Sequence, residues 1–310
     1  MRSAPSLQFL GALSAVGAAL CFTLNDMAVK VLSADYPLHE VVLIRSLVGL
    51  TITLALFIPV AGGFHVLRTR HFRGHMVRGT LVLGANMSFF VALASMPIAD
   101  ATAIFFVSPL IIALFSVIFL GERVGPRRWA AIAVGFVGVV IMIRPGTDTF
   151  TLVALLPLLA ATGYAGMNVL TRHMGAVESP VTLTFYIQIT FLLFSLGFGM
   201  TVGDGRFDTG AHSSTSFLLR AWVWPQTADI PFFLLAGFGT GFGALMITQA
   251  LRLCEAALVA PLEYAGMPMA ILFGIVVFGD WPDPIAWVGI SLIVGSGLFM
   301  IFRETRIQAQ

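Results

Sequence analysis

Four ionisable side chains sit where an apolar chain tolerates them least. Asp26, Lys30, Arg45 and Glu263 each interrupt a long hydrophobic run. Charge inside hydrocarbon is costly, so such residues are functional candidates by default. Asp26 and Lys30 stand four apart and share one face of a helix, so they could pair. The plainer alternative is an ion pair that only steadies a helix end, with Lys30 reaching out to water. Asn25, beside Asp26, would line the same path. Arg45 falls about 6 Å from the middle of its run at about 1.5 Å per residue, too deep for comfortable escape to water. Its planar fork suits a carboxylate or phosphate, although an internal bridge to Glu40 or Asp26 would use the same atoms. Glu263 lies at similar depth in Pro261-Leu262-Glu263-Tyr264. A carboxyl in low dielectric suits proton coupling or recognition of an amine; a neutral or paired group that only packs is the alternative.

The uncharged polar candidates are Asn86, Ser108, Tyr164, Asn168, Tyr186, Gln188, Gln249 and Tyr264, with Phe89, Phe90, Phe105 and Phe106 as aromatic walls. For any single phenylalanine, packing against core or lipid is the ordinary role. The expected solute-binding set is therefore Asn25, Arg45, Asn86, Phe90, Phe105, Tyr164, Asn168, Tyr186, Gln188, Gln249, Glu263 and Tyr264, with Asp26 and Glu263 as coupling residues. No Gly-rich phosphate loop ending in Lys-Ser or Lys-Thr occurs, so nucleotide hydrolysis is excluded. The six histidines show no tight metal spacing; His71 and His75 are four apart in a basic loop, where solvated histidines are expected. No metal and no cofactor is expected. Cys21 and Cys254 lie in or beside different runs and imply no disulfide framework. No polar cluster at one membrane face suggests an intramembrane enzyme. A channel would show a current that does not saturate with solute.

The elements that must hold these residues are membrane helices. The chain has 310 residues, 58% hydrophobic and 10% charged, against about 25% charged in a soluble domain. The net charge of +2 says little about partners, and basic residues confined to short loops argue against nucleic acid. Ten apolar runs are expected as helices: Leu7–Leu32, Pro37–Val60, Met76–Ala94, Ile98–Leu120, Arg128–Ile143, Leu152–Leu170, Val181–Val202, Ile230–Leu251, Ala256–Phe278 and Ile285–Phe302. The first run is too long for a cleaved leader and is read as a retained helix. Gly203 to Ala228 is the one long polar segment. With the N-terminus inside, 12 of the 17 basic residues fall in cytoplasmic loops, which places both termini in the cytoplasm of a plasma or inner membrane.

The stretch from Asp100 to Pro145 repeats from Glu255 to Arg303. A shift of 158 superposes Gly121 on Gly279, Glu122 on Asp280 and Trp129 on Trp287. A second echo places Pro180 on Pro37 and Gln188 on Arg45 at a shift of 143, and Tyr164 on Phe22, Asn168 on Asp26 and Arg172 on Lys30 at 142. Two halves, 1–146 and 147–310, each of five helices, follow. Five is odd, so the halves must be inverted relative to each other.

The segments SPLIIALFSVIFLGERVGPRRWAAIAVGFVGVVIMIRPG and APLEYAGMPMAILFGIVVFGDWPDPIAWVGISLIVGSG resemble the EamA repeat of the drug/metabolite transporter superfamily. NDMAVKVL, IRSLVGL and MPIADATAIFFVSPL are most similar to its solute-carrier-35G-like branch. The resemblance covers nearly the whole chain; it is specific for the family and uninformative about the solute. It implies two inverted five-helix repeats around a central cavity lined by helices 1 to 4 and 6 to 9, with helices 5 and 10 as outer supports. Gly121-Glu122, Gly279-Asp280, Pro109, Pro261 and Tyr264 carry over as fold markers. The implied activity is secondary transport of a small organic solute by alternating access, as a monomer or homodimer in the bilayer, with proton coupling or exchange. A carboxylate-bearing, amino-acid-like metabolite is the first expectation, and a lipophilic cation drawn by Glu263 the competing one.

Overall fold

The structure, a computed structural model, describes residues 7–69, 71–121, 125–147, 150–174, 179–253 and 262–308. All the regular elements among them are helical. In chain order they are α1 (Leu7–Leu32), α2 (Leu38–Ile52, running on through a π turn Thr53–Phe57 to Val60), α3 (Phe72–Leu93), α4 (Ile98–Phe105), α5 (Ser108–Leu120) and α6 (Pro126–Ile143). Then follow α7 (Leu156–Met174), α8 (Pro180–Val202), α9 (Ser213–Leu219), α10 (Ile230–Leu253), α11 (Gly266–Phe273, ending in a π turn Gly274–Phe278) and α12 (Pro284–Gln308). Among the described residues, seven helices are long and apolar enough to cross a membrane, and three shorter apolar helices cover Trp129–Ile143, Gly266–Phe278 and Pro284–Met300. The fifth, ninth and tenth expected runs correspond to the shorter ones. The start of the ninth, from Ala256 through Pro261, and the Glu122–Arg123 hinge lie outside the described residues. Some boundaries move: α7 runs to Met174 rather than Leu170, α12 to Gln308 rather than Phe302, and α3 begins at Phe72 rather than Met76, which takes His75 out of the expected loop and into a helix.

Two helices are interrupted where proline removes a backbone donor. Pro109 cannot bond the carbonyl of Phe105, and the run from Ile98 breaks at Phe106 and Val107 before α5 starts. Pro268 likewise cannot bond the carbonyl of Tyr264, and the chain turns at Tyr264 and Ala265 before α11. Tyr264 follows Phe106 by 158 residues, the spacing of Gly279 from Gly121, and both glycines end their helices in the left-handed region at φ 72° and 68°. The two interruptions touch: the Tyr264 hydroxyl donates to the Phe106 carbonyl at 3.2 Å, and their rings lie 5.0 Å apart.

α1 packs chiefly on α10, α3 on α7 and α6 on α12, while α2 lies between α8 and α10. Small residues permit this, as expected where lipid removes the hydrophobic drive between helices. α10 carries four alternating glycines. Gly237 and Gly241 turn to Val48 and Ile52 of α2; Gly239 and Gly243 turn to Asn25 and Phe22 of α1. A Cβ on Gly239 would stand 2.5 Å from the Cys21 carbonyl oxygen and 3.0 Å from Asn25 Cβ, so α10 fits between α1 and α2 only without side chains there.

One face of the bundle is capped by the segment between α8 and α10. Arg220 donates to the Ala34 carbonyl at 2.6 Å, Tyr36 to Asp229 at 2.7 Å, and Glu40 accepts from the Val223 amide at 3.2 Å. On the same face Arg144 makes two 2.6 Å hydrogen bonds to the Asp283 carboxylate. Those bonds, with the Ala286 amide, hold the Asp283 carboxyl below the usual carboxylate range. Lys30 does not pair with Asp26. Its ammonium turns to the carbonyls of Leu93 (3.1 Å) and Met96 (2.6 Å), 4.0 Å from Asp280 and 5.0 Å from the Phe278 ring. The first of those carbonyls ends α3 and the second lies in the turn after it, while Asp26, one turn earlier on α1, accepts from Asn25.

Candidate functional site

Inside the bundle α1, α2, α3, α8 and α10 converge on Arg45. Its Nη1 donates to Asn25 Oδ1 at 3.1 Å and reaches Thr240 Oγ1 at 3.5 Å. Thr240 donates to the same Asn25 oxygen at 3.0 Å, while Asn25 Nδ2 donates to Asp26 Oδ1 at 2.9 Å. Asn25 thus stands between carboxylate and guanidinium, coupling the two charges through an amide instead of by direct contact. Glu40 takes no part, being engaged with Val223. The guanidinium carbon lies 4.7 Å from the centre of the Phe90 ring and 5.1 Å from that of Phe191. Both contacts favour a cation away from water. Arg45 is 2% exposed and Asn25 4%, so this is an interior arrangement.

Gln188 lies on the same side of α2, its amide nitrogen packed against Gly49 and its oxygen 3.5 Å from Thr53. Arg45, Gly49 and Thr53 follow at four-residue intervals, so one stripe of α2 faces this amide. Two buried donors, Arg45 Nε and Gln188 Nε2, have no acceptor among the described residues. Orphaned interior donors cost about 1–3 kcal/mol each, which marks positions where an acceptor belongs.

A row of rings leads away from this group. Phe90 is 6.3 Å from Phe89, Phe89 5.4 Å from Phe105, and Phe105 5.5 Å from Tyr164. At the far end α7 packs along α3, the helix that carries Arg78. Gly163, beside Tyr164, sets the close approach of α7 to α3: a Cβ there would meet Ala85 Cβ at 3.3 Å.

Of the residues expected at the site, Asn25, Asp26, Arg45, Phe90 and Gln188 come together directly. Phe105 and Tyr164 join them along the rings, and Tyr264 meets Phe106 beside Phe105; Glu263 precedes Tyr264 in the chain and is half-buried. Others turn elsewhere: Asn86 and Asn168 donate back to the carbonyls of Val82 and Tyr164 on their own helices. Tyr186 donates to the Leu67 carbonyl and stacks on His75, which is 2% exposed and so not the solvated residue expected. Gln249 is exposed near the end of α10, and Ser108 is buried in the first turn of α5. Thr240, Phe191 and Arg78 were not anticipated. Thr240 had a signal, as the one polar residue inside the Gly-Phe-Gly-Thr-Gly-Phe-Gly run. Arg78 stands two residues into the expected run Met76–Ala94 but six into α3, which begins at Phe72. Phe191 had none.

An all-helical apolar bundle with charged and amide side chains gathered at mid-depth belongs to the class of membrane proteins that pass polar solutes. The chain belongs to the EamA-like transporter family, whose sequence profile matches residues 9–144 and again residues 151–303. A riboflavin transporter of Rhizobium johnstonii is 30% identical over 302 residues, 97% of this chain and 94% of that one. An S-adenosylmethionine uptake transporter of Rickettsia prowazekii is 25% identical over 92% of this chain and 90% of its own. The pseudopaline exporter CntI of Pseudomonas aeruginosa is 27% identical over 92% and 93%. A solved crystal structure shares the fold at TM-score 0.65 and 19% identity, over 96% of this chain and 98% of its own. The chain is accordingly an integral membrane transporter of small metabolites and not an enzyme.

Proposed function

We propose that this protein is a secondary carrier that moves a planar, acceptor-bearing metabolite, riboflavin foremost, across the plasma membrane by alternating access. The observation that carries the reading is the Arg45 guanidinium, stacked between two phenyl faces with its Nε and the neighbouring Gln188 Nε2 lacking acceptors among the described residues. A flat ring with carbonyl oxygens on one edge supplies both an aromatic face and the acceptors. The riboflavin transporter of Rhizobium johnstonii, similar over nearly the full length of both chains, supports that choice. The fork of Arg45 also suits a carboxylate, so carboxylate-rich metabolites form the second reading. In this proposal the halves 1–146 and 147–310 are inverted five-helix repeats, both termini are cytoplasmic, and the capped face is external. The paired helix interruptions at Phe106 and Tyr264 support the repeat, since matching broken helices mark the working parts of carriers.

Labelled riboflavin uptake into proteoliposomes is the test. Saturable uptake is expected in the wild type. Arg45→Lys keeps the charge but loses the fork, and should lower affinity about tenfold or more while the protein still folds. Absence of saturable riboflavin uptake would sink the flavin reading. Wild-type affinity and rate in both Arg45→Lys and Arg45→Gln would remove Arg45 from the site.

A further inference from the structure

A cavity of about 790 Å³ lies on the capped face, apart from the Arg45 group. Its walls come from both profile-matched units. The end of α1 with the turn after it and the end of α3 supply one side. The segment between α8 and α10, the start of α10 and the π turn after α11 supply the other. Each side brings one cation, Lys30 from the first and Arg220 from the second, and none of the described lining residues is acidic. Both cations keep donors to spare. An ammonium has three N–H groups. Lys30 gives two of them to the Leu93 and Met96 carbonyls, and Asp280, at 4.0 Å, is too far to take the third as a hydrogen bond. A guanidinium has five. Arg220 gives one to the Ala34 carbonyl at 2.6 Å, while Asp208, the carboxylate on its own segment, is occupied by the Gly210 amide and the Ser216 hydroxyl.

We propose that this cavity is a second binding site, which takes the phosphate or carboxylate of a small organic anion between Lys30 and Arg220. Charge-assisted donors on two sides suit an oxyanion, and a guanidinium matches its oxygens in pairs. The volume is that of a small-molecule site and exceeds what a bare ion needs, with Phe232 and Phe278 as apolar walls for the rest of the molecule. Because one cation belongs to each unit, a bound anion ties the cap to α1 and α3. The anion can be a soluble metabolite or the headgroup of a phospholipid, and the two share the chemistry that the site recognises.

The test uses no flavin, so its outcome is separate from that of the reading above. Glycerol 3-phosphate is titrated calorimetrically into the full-length protein in a maltoside detergent, with glycerol as the uncharged control. Saturable binding at about 1 mM or tighter is expected for the phosphate and none for glycerol. Lys30→Gln and Arg220→Gln should each weaken it about tenfold, the scale of a hydrogen bond to a charged group. Should either fail to fold, Ser213, exposed where it lines the cavity, carries the test. Ser213→Lys should tighten binding about threefold and Ser213→Asp should weaken it as much, a gain and a loss that a merely structural role would not produce. Repeating the titration in phosphatidylglycerol nanodiscs separates the sources. Unchanged affinity there assigns the site to a soluble anion, and binding seen in detergent but lost in the nanodiscs assigns it to the lipid headgroup. Absence of saturable phosphate binding in detergent overturns the site. So does an affinity that neither the cation variants that fold nor the charge at position 213 can move.

Discussion

A guanidinium at mid-depth must be given what water would otherwise supply. Arg45 receives one amide oxygen, one hydroxyl and two ring faces, and nothing in direct contact carries a full negative charge. That leaves the side chain a positive centre with no carboxylate against it, as the proposed solute site requires. Arg45 and Asn25 were legible because each breaks an apolar run. That the Asn25 amide bridges Asp26 to Arg45 was not, since sequence spacing cannot say which of two neighbours a side chain will choose. Glu263 is the other residue whose role can be tested alone. Glu263→Gln mimics the permanently protonated form at nearly constant shape. For a coupling carboxyl it should preserve solute exchange between equal compartments and abolish accumulation driven by a pH gradient, both measured in the same proteoliposomes. Undiminished pH-driven accumulation would reject coupling through Glu263 and pass that role to Asp26.

Among the elements, the capped face is held by ion pairs and hydrogen bonds that cross between distant parts of the chain, and Arg144 with Asp283 is the clearest. Arg144 occupies the left-handed region at φ 52°, unusual for a residue with a side chain, and in this position its guanidinium meets Asp283 just before α12. Asp283 is about half exposed, with side-chain accessibility of 47%, so the pair should contribute less than about 1 kcal/mol. The sign of its pH dependence follows from the lowered carboxyl. A carboxyl held below its usual range stabilises the fold above that range, and the contribution fades as pH falls through the lowered value. Arg144→Gln should therefore lower the melting temperature by a small, constant amount from neutral pH down to about 5, and by progressively less below about 4. A gap that widened in acid would contradict this pairing. Gly279-Asp280 was legible as a hinge by its echo of Gly121; the partner of Asp280 was not, because spacing offers Lys30 only Asp26 on its own helix or water.

For the molecule as a whole, apolar run lengths disclosed the helical elements, and Pro109 and Pro268 stand where two of them are interrupted. Both signals arise from backbone chemistry: hydrogen bonds closed within a helix, and prolines that open them. Lateral arrangement was hidden, since the choice of α10 as partner for α1 depends on glycines that carry no hydropathy signal. The proposed orientation makes a simple demand. Single cysteines placed between Gly203 and Ala228 should react with an impermeant maleimide added outside intact cells and not with one confined to the cytoplasm; labelling from the cytoplasmic side alone would invert the topology. Trp224, 94% exposed, and Trp281, 74% exposed, both lie on this capped face, as interfacial anchors do.

The wedge of α10 between α1 and α2 also sets a schedule for synthesis. α1 ends at Leu32 and its main partner does not begin until Ile230. At about 5–20 residues per second the ribosome needs roughly 10–40 s to bridge that interval. Throughout it, Asp26 and Arg45 are already in or near the membrane without Thr240, and the loop after α1 lacks Arg220 and Asp229 to hold it. The nascent first half must therefore be sheltered by the insertion machinery or by lipid headgroups until the last quarter of the chain arrives. A ribosome stalled before codon 230 would release a protein whose most polar interior residues have nowhere to go.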